Sequence, residues 1–120
     1  MESSQRPWGQ YDVLLDKPYT KVKELTILPG GKLSLQYHNK RAEYHVIVQG
    51  DLTVQIGDET VQCVQGMSYF IPIGKQHRVF NGTETPVKIL EIQIGESFKE
   101  EDIVRIEDDY GRVLTDIKLN

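Results

Sequence analysis

Turn-forming residues interrupt this chain so often that no long helix and no parallel crossover fits between them. Pro29-Gly30-Gly31, Gly57-Asp58-Glu59, Pro72, Gly74 and Asn81-Gly82 separate short segments. Those segments, at 19–28, 32–38, 43–49, 51–56, 60–64, 68–73, 77–80 and 87–94, are of strand length and alternate in polarity. Many short strands, each ended by Gly, Pro or Asn, predict an all-β double sheet or barrel.

The ends of the chain read differently. Residues 1–18 are a polar arm with an apolar stretch at Val13, Leu14 and Leu15, and Trp8 is its expected packing anchor. Residues 19–95 make the barrel, and 96–120 a tail in which Ser97 and Glu100 fit a capping box and predict a short helix over 98–104. The acidic run Glu107, Asp108 and Asp109 reads as a solvated face. No internal repeat or low-complexity segment is present.

At 120 residues the chain is one domain with a single core and no room for a second. A formal charge of -4 argues against nucleic acid as a partner, because neutralising phosphate backbones needs a concentrated basic surface. Cys63 is the only cysteine, which excludes an intrachain disulfide and a zinc-thiolate cage. Flanked by Val61 and Val64, it reads as a buried, inert thiol. The first residues carry no apolar core of a secretory signal, and no apolar run is of membrane-spanning length, so a soluble cytoplasmic protein without membrane partners is expected.

Chemistry concentrates in two stretches, 30–50 and 66–81. Within the first, Ser34, Gln36 and His38 share one strand face and Leu33, Leu35 and Tyr37 the other. In the following strand Glu43, His45, Ile47 and Gln49 oppose Tyr44, Val46 and Val48, across the loop 39–42 that holds Arg41. Gln36, His38 and Glu43, with His77 from the second stretch, are nitrogen and oxygen donors of the kind that hold a divalent transition metal. If this polar face looks into a cavity, the apolar outer face must be covered, either by the N-terminal arm or by a partner subunit; a homodimer is expected.

The spacing from Gly30 through Gln36, His38 and Glu43 to Gly50, and from Gly66 through Pro72, Gly74 and His77 to Asn81, closely resembles the two motifs of the cupin superfamily. That resemblance implies a double-stranded β-helix, or jelly roll, with Gln36, His38, Glu43 and His77 as metal ligands. Gln36 departs from the usual histidine and offers a neutral oxygen instead, which leaves the metal open: zinc foremost, with manganese, cobalt or nickel as alternatives.

A narrower resemblance covers residues 6–112. RPWG, QYHNKRAE, FIPIGKQHR and EDIVRIEDDYGR are similar to the type II phosphomannose isomerase domain, often the C-terminal half of a protein that is also a mannose-1-phosphate guanylyltransferase. The resemblance implies interconversion of mannose 6-phosphate and fructose 6-phosphate; guanylyl transfer is not expected of a chain this short. An aldose-ketose isomerase needs a base at C2. Glu91, on one strand face with Val87, Ile89 and Gln93, is one candidate, its pKa expected to rise by desolvation, and His45 is the other. The phosphate needs cations, for which Arg41, Lys75, Arg78 and Arg112 are the candidates, although a regular strand would turn Arg78 away from His77. The rival readings are a non-catalytic sugar-binding or regulatory cupin and another metal-dependent cupin enzyme, since one fold hosts many functions.

Overall fold

Alternation along the strands sorts this chain into two antiparallel sheets with an interior between them. The computed structural model describes residues 2–108 and residue 110. In chain order the strands are β1 (Glu2–Arg6), β2 (Gly9–Lys17), β3 (Thr20–Ile27), β4 (Leu35–His38), β5 (Arg41–Gln49), β6 (Leu52–Ile56), β7 (Glu59–Cys63), β8 (Ser68–Ile71), β9 (His77–Phe80), β10 (Val87–Gly95) and β11 (Ile103–Glu107). One sheet has the order β1-β2-β3-β10-β5-β8 and the other β11-β4-β9-β6-β7. This is the jelly roll that the cupin resemblance implies.

The N-terminal arm is a β-hairpin built into the larger sheet. β1 pairs with β2, and β2 with β3 along nearly its whole length. Gly9 makes that possible, because any side chain there would collide with the Thr26 carbonyl oxygen. Trp8 beside it is buried in the main hydrophobic cluster with Leu25, Ile27, Ile47, Leu52, Val79 and Ile89. Cys63 is buried in the same cluster. At the β6–β7 hairpin Gly57 has a φ of 61°, the left-handed conformation that a two-residue turn requires.

The expected helix over 98–104 does not form. Lys99 stands at the start of a 3-10 turn, Glu100–Asp102, with no side-chain cap, and Ile103 turns the chain into β11. Two causes favour the strand: Ile103 and Val104 are β-branched, and β4 offers β11 an open edge that pairs Ile103 with His38.

The inward faces change character along their length. β10 points Val87 and Ile89 into the core and then Glu91 and Gln93; antiparallel β5 matches these with Ile47 and then His45, Glu43 and Arg41. β3 runs from Ile27 and Leu25 to Lys23, and β9 from Val79 to His77. One half of the interior is therefore apolar and holds the fold together, while the other half is polar. Among the described residues no helix is long and apolar enough to cross a membrane.

Candidate metal centre

His38, Glu43 and His77 each occupy an inward position, on β4, β5 and β9, and the two sheets bring them face to face. One donor atom from each lies within 4.8 Å of the others, and all three residues are buried. The His38 and His77 ring centroids are 5.2 Å apart. β4 pairs with β9 so that Gln36 lies opposite His77, and the Gln36 side-chain oxygen accepts a hydrogen bond from Ser34 Oγ at 2.9 Å.

The imidazoles are prepared as ligands. His77 Nδ1 donates to the Lys75 carbonyl oxygen at 2.9 Å, which fixes the tautomer and leaves the Nε2 lone pair 3.9 Å from Glu43 Oε1. Burial lowers the His77 pKa to about 4, so the ring is neutral. His38 Nε2 is 3.1 Å from Glu43 Oε2, yet among the described residues neither nitrogen of His38 nor Nε2 of His77 has a hydrogen-bond partner. Buried polar atoms are rarely left so. Orphaned imidazole nitrogens gathered round one carboxylate are what ligation of a divalent cation would satisfy, so the donor set fits a metal.

Glu43 also links this group to a second one. Its Oε1 is 2.9 Å from His45 Nε2, and His45 Nε2 is in turn 3.3 Å from Glu91 Oε2. His45 Nδ1 meets the Tyr69 hydroxyl at 2.8 Å, and Gln93 Nε2 donates to Glu91 Oε1 at 2.6 Å. Burial opposes charge on Glu43, but the imidazoles of His38 and His45 beside it outweigh that and hold the carboxyl well below the usual range. Burial likewise opposes charge on His45, but Tyr69, Glu43 and Glu91 outweigh it and raise its pKa well above the ordinary value.

For Glu91 the direction corrects the expectation from desolvation. Burial and the neighbouring Glu43 do push its pKa up, but His45 and Lys23 prevail and lower it. Glu91 is thus an ionised carboxylate that lines a cleft leading to the centre, and it needs no elevated pKa to be free to accept a proton.

The four cations proposed for a phosphate separate. Arg41 is not in a loop: it is the first residue of β5, buried, and donates Nε to Glu43 Oε2 at 3.0 Å. Arg78 is held away from the cavity, its Nε donating to the Leu33 carbonyl at 2.8 Å and its Nη2 to the Glu107 carbonyl at 3.1 Å. Lys75 lines a different cleft, in company with Asp58 and Glu59. Arg112 lies outside the described residues, as does Asp109 of the acidic run.

Lys23, Tyr69, Gln93 and Asp102 were not singled out from the sequence. Lys23 and Tyr69 carried a signal, each a polar group on a face shared with Leu25 and Ile27 or with Ile71. In register Lys23, Glu91, His45 and Tyr69 form one row across β3, β10, β5 and β8. Asp102 carried none: its two oxygens accept the Asn39 and Lys40 backbone N–H groups at 3.0 and 2.9 Å, a contact across the sheet connection.

Residues 1–108 match the family model described as mannose-6-phosphate isomerase C-terminal. The chain is 43% identical over 107 residues to the xanthan biosynthesis protein XanB of Xanthomonas campestris, a stretch covering 89% of this chain and 23% of that protein. It is 42% identical over 107 residues to a mannose-1-phosphate guanylyltransferase of Klebsiella pneumoniae, again over 89% of this chain and 23% of the relative. The chain therefore spans under a quarter of the length of these curated relatives. Among solved structures, the cupin domain of Schizosaccharomyces pombe Cnp3 superposes with a TM-score of 0.69 at 14% identity, over 72% of this chain and 64% of that one, a likeness of fold.

Proposed function

The chain belongs to the mannose-6-phosphate isomerase C-terminal family, and from that premise we propose that it interconverts mannose 6-phosphate and fructose 6-phosphate, as a homodimer, with a divalent metal. The observation that carries this reading is the convergence of His38, Glu43 and His77, with orphaned imidazole nitrogens, beside the ionised Glu91.

His38, Glu43 and His77 would hold the ion, with Gln36 as a further oxygen donor. Bound there, a divalent ion supplies Lewis-acid stabilisation of the negative charge that develops on the sugar oxygens when a proton leaves C2. Glu91 takes that proton and returns it to C1 while the hydroxyl proton of O2 passes to O1, which leaves the carbonyl at C2; the Glu91 carboxylate lines the cleft and is oriented by Gln93 and His45. His45 is the positioning residue, since Tyr69 and the two carboxylates engage both of its ring nitrogens. Arg41 holds Glu43 Oε2 and so fixes the orientation of the carboxylate.

The test is an isomerase assay of the purified chain supplied in turn with zinc, manganese, cobalt and nickel, with metal content measured on the same samples. Turnover that stops on chelation, and a His77→Ala variant that loses both metal and turnover, are the expected outcomes. Metal bound without turnover under every condition would replace the isomerase with a sugar-binding cupin.

A further inference from the structure

Two cations beside the metal centre are buried without a full set of partners. Lys23 is 6% exposed, and its ammonium lies 4.1 Å from the centre of the Tyr11 ring. Among the described residues it makes no hydrogen bond and no ion pair. Arg41 is 3% exposed; its Nε serves Glu43, while Nη1 is buried with no partner. Both side chains line the same cleft that leads to Glu43 and Glu91. A buried ammonium with no acceptor and an orphaned guanidinium nitrogen are costly to keep, and the two lining one cleft mark a place where an anion completes the structure.

The other charges of the cleft leave room for that anion. Arg6 and Glu100 at its rim satisfy each other at 2.7 Å, and Glu43 is committed to the imidazoles. Lys23 then faces Glu91, and Arg41, paired to Glu43 through Nε, adds its unpartnered Nη1 to the same wall. The cleft on the opposite side sets Lys75 against Asp58 and Glu59, a balance that repels an anion. The Tyr11 ring, under both Lys23 and Arg6, steadies the ammonium without neutralising it.

We infer that Lys23 and Arg41 hold the phosphate monoester of the substrate in this cleft, which makes β3 and the N-terminal hairpin part of the sugar-phosphate site. The inference rests on the phosphosugar reading of the centre. Lys23, Glu91 and His45 stand in register on three adjacent strands. Strand spacing puts Lys23 about 9–10 Å from the line of Glu43 and His45. That is the scale separating the carbonyl and phosphate ends of an open-chain six-carbon sugar.

Inorganic phosphate is the probe. Phosphate should bind the wild-type chain, and Lys23→Met should weaken that binding about tenfold or more. The same substitution should raise KM for mannose 6-phosphate with kcat and metal content little changed, and Lys23→Arg should restore much of the loss. Lys75→Met should change none of these. Methionine keeps the apolar stem while deleting a buried charge; Lys23→Gln is the second truncation should the first misfold. Unchanged phosphate affinity and KM in a folded, metal-loaded Lys23 variant would overturn the inference, as would loss of binding in Lys75→Met instead. Phosphate held through Lys23 without isomerase turnover keeps the anion site and removes the isomerase reading; turnover with a KM indifferent to Lys23 does the reverse.

Discussion

Glu91 and His45 face each other on adjacent strands, yet only one of them lines the cleft. His45 has both nitrogens engaged, whereas Glu91 presents its carboxylate to the cleft. Replacing Glu91 with Gln should therefore leave metal content intact and lower kcat about a hundredfold or more, the usual worth of a positioned base. Metal analysis and steady-state kinetics on one preparation check this; a near-normal kcat would pass the role to another group. Glu91 was legible in the sequence because strand alternation puts it on the face of Ile89 and Gln93. Its pKa was not, because the sign depends on Lys23 and His45, two residues brought beside it by sheet register rather than by proximity in the chain. Arg78 shows the converse: alternation alone turned it away from His77, and it is indeed spent on the Leu33 and Glu107 carbonyls.

The connection between β4 and β5 leads from His38, the last residue of β4, to the strand that bears Glu43 two residues after its start, so whatever stiffens it positions the centre. Three contacts do so. Asp102 accepts the Asn39 and Lys40 N–H groups, Gly74 N donates to the His38 carbonyl at 2.7 Å, and Glu96 N donates to the Lys40 carbonyl at 3.0 Å. Asp102 ties the 3-10 turn of the tail to this loop. Asp102→Ala should weaken metal affinity about tenfold or more, as loss of an outer support does, and cost about 1–2 kcal/mol of stability. A metal-competition titration beside a urea melt measures both; unchanged affinity would make Asp102 a structural clamp alone. The capping box that suggested a helix here misled because a local signal competes with an unpaired neighbour: β4 offered an edge, and β11 took it. Turn residues marked nearly every strand boundary, whereas partner choice among strands depends on contacts far apart in sequence.

The whole barrel divides its labour: apolar inward residues at one end supply burial, and the polar end sacrifices stability for the site. The outside of the six-stranded sheet does not fit that division. Tyr44, Val46 and Val48 on β5 stand beside Phe70 on β8 and Leu90, Ile92 and Ile94 on β10 in one register, and Tyr44, Val48, Phe70 and Ile94 are exposed. A contiguous apolar face of this kind on a small domain calls for a cover. The sequence suggested two covers, the N-terminal arm and a second subunit. The arm is accounted for, since β1 and β2 continue the sheet sideways from β3 and do not fold across it. The homodimer proposed above would supply the other cover: a second copy meeting the same face about a twofold axis makes a contact that closes on itself. Sedimentation of the chain should therefore give a dimer, and Val48→Lys combined with Phe70→Lys should give a monomer. Both positions point away from the metal centre, so the monomer should keep its bound metal. A wild-type chain that sediments as a monomer at every accessible concentration would leave this face to a different partner.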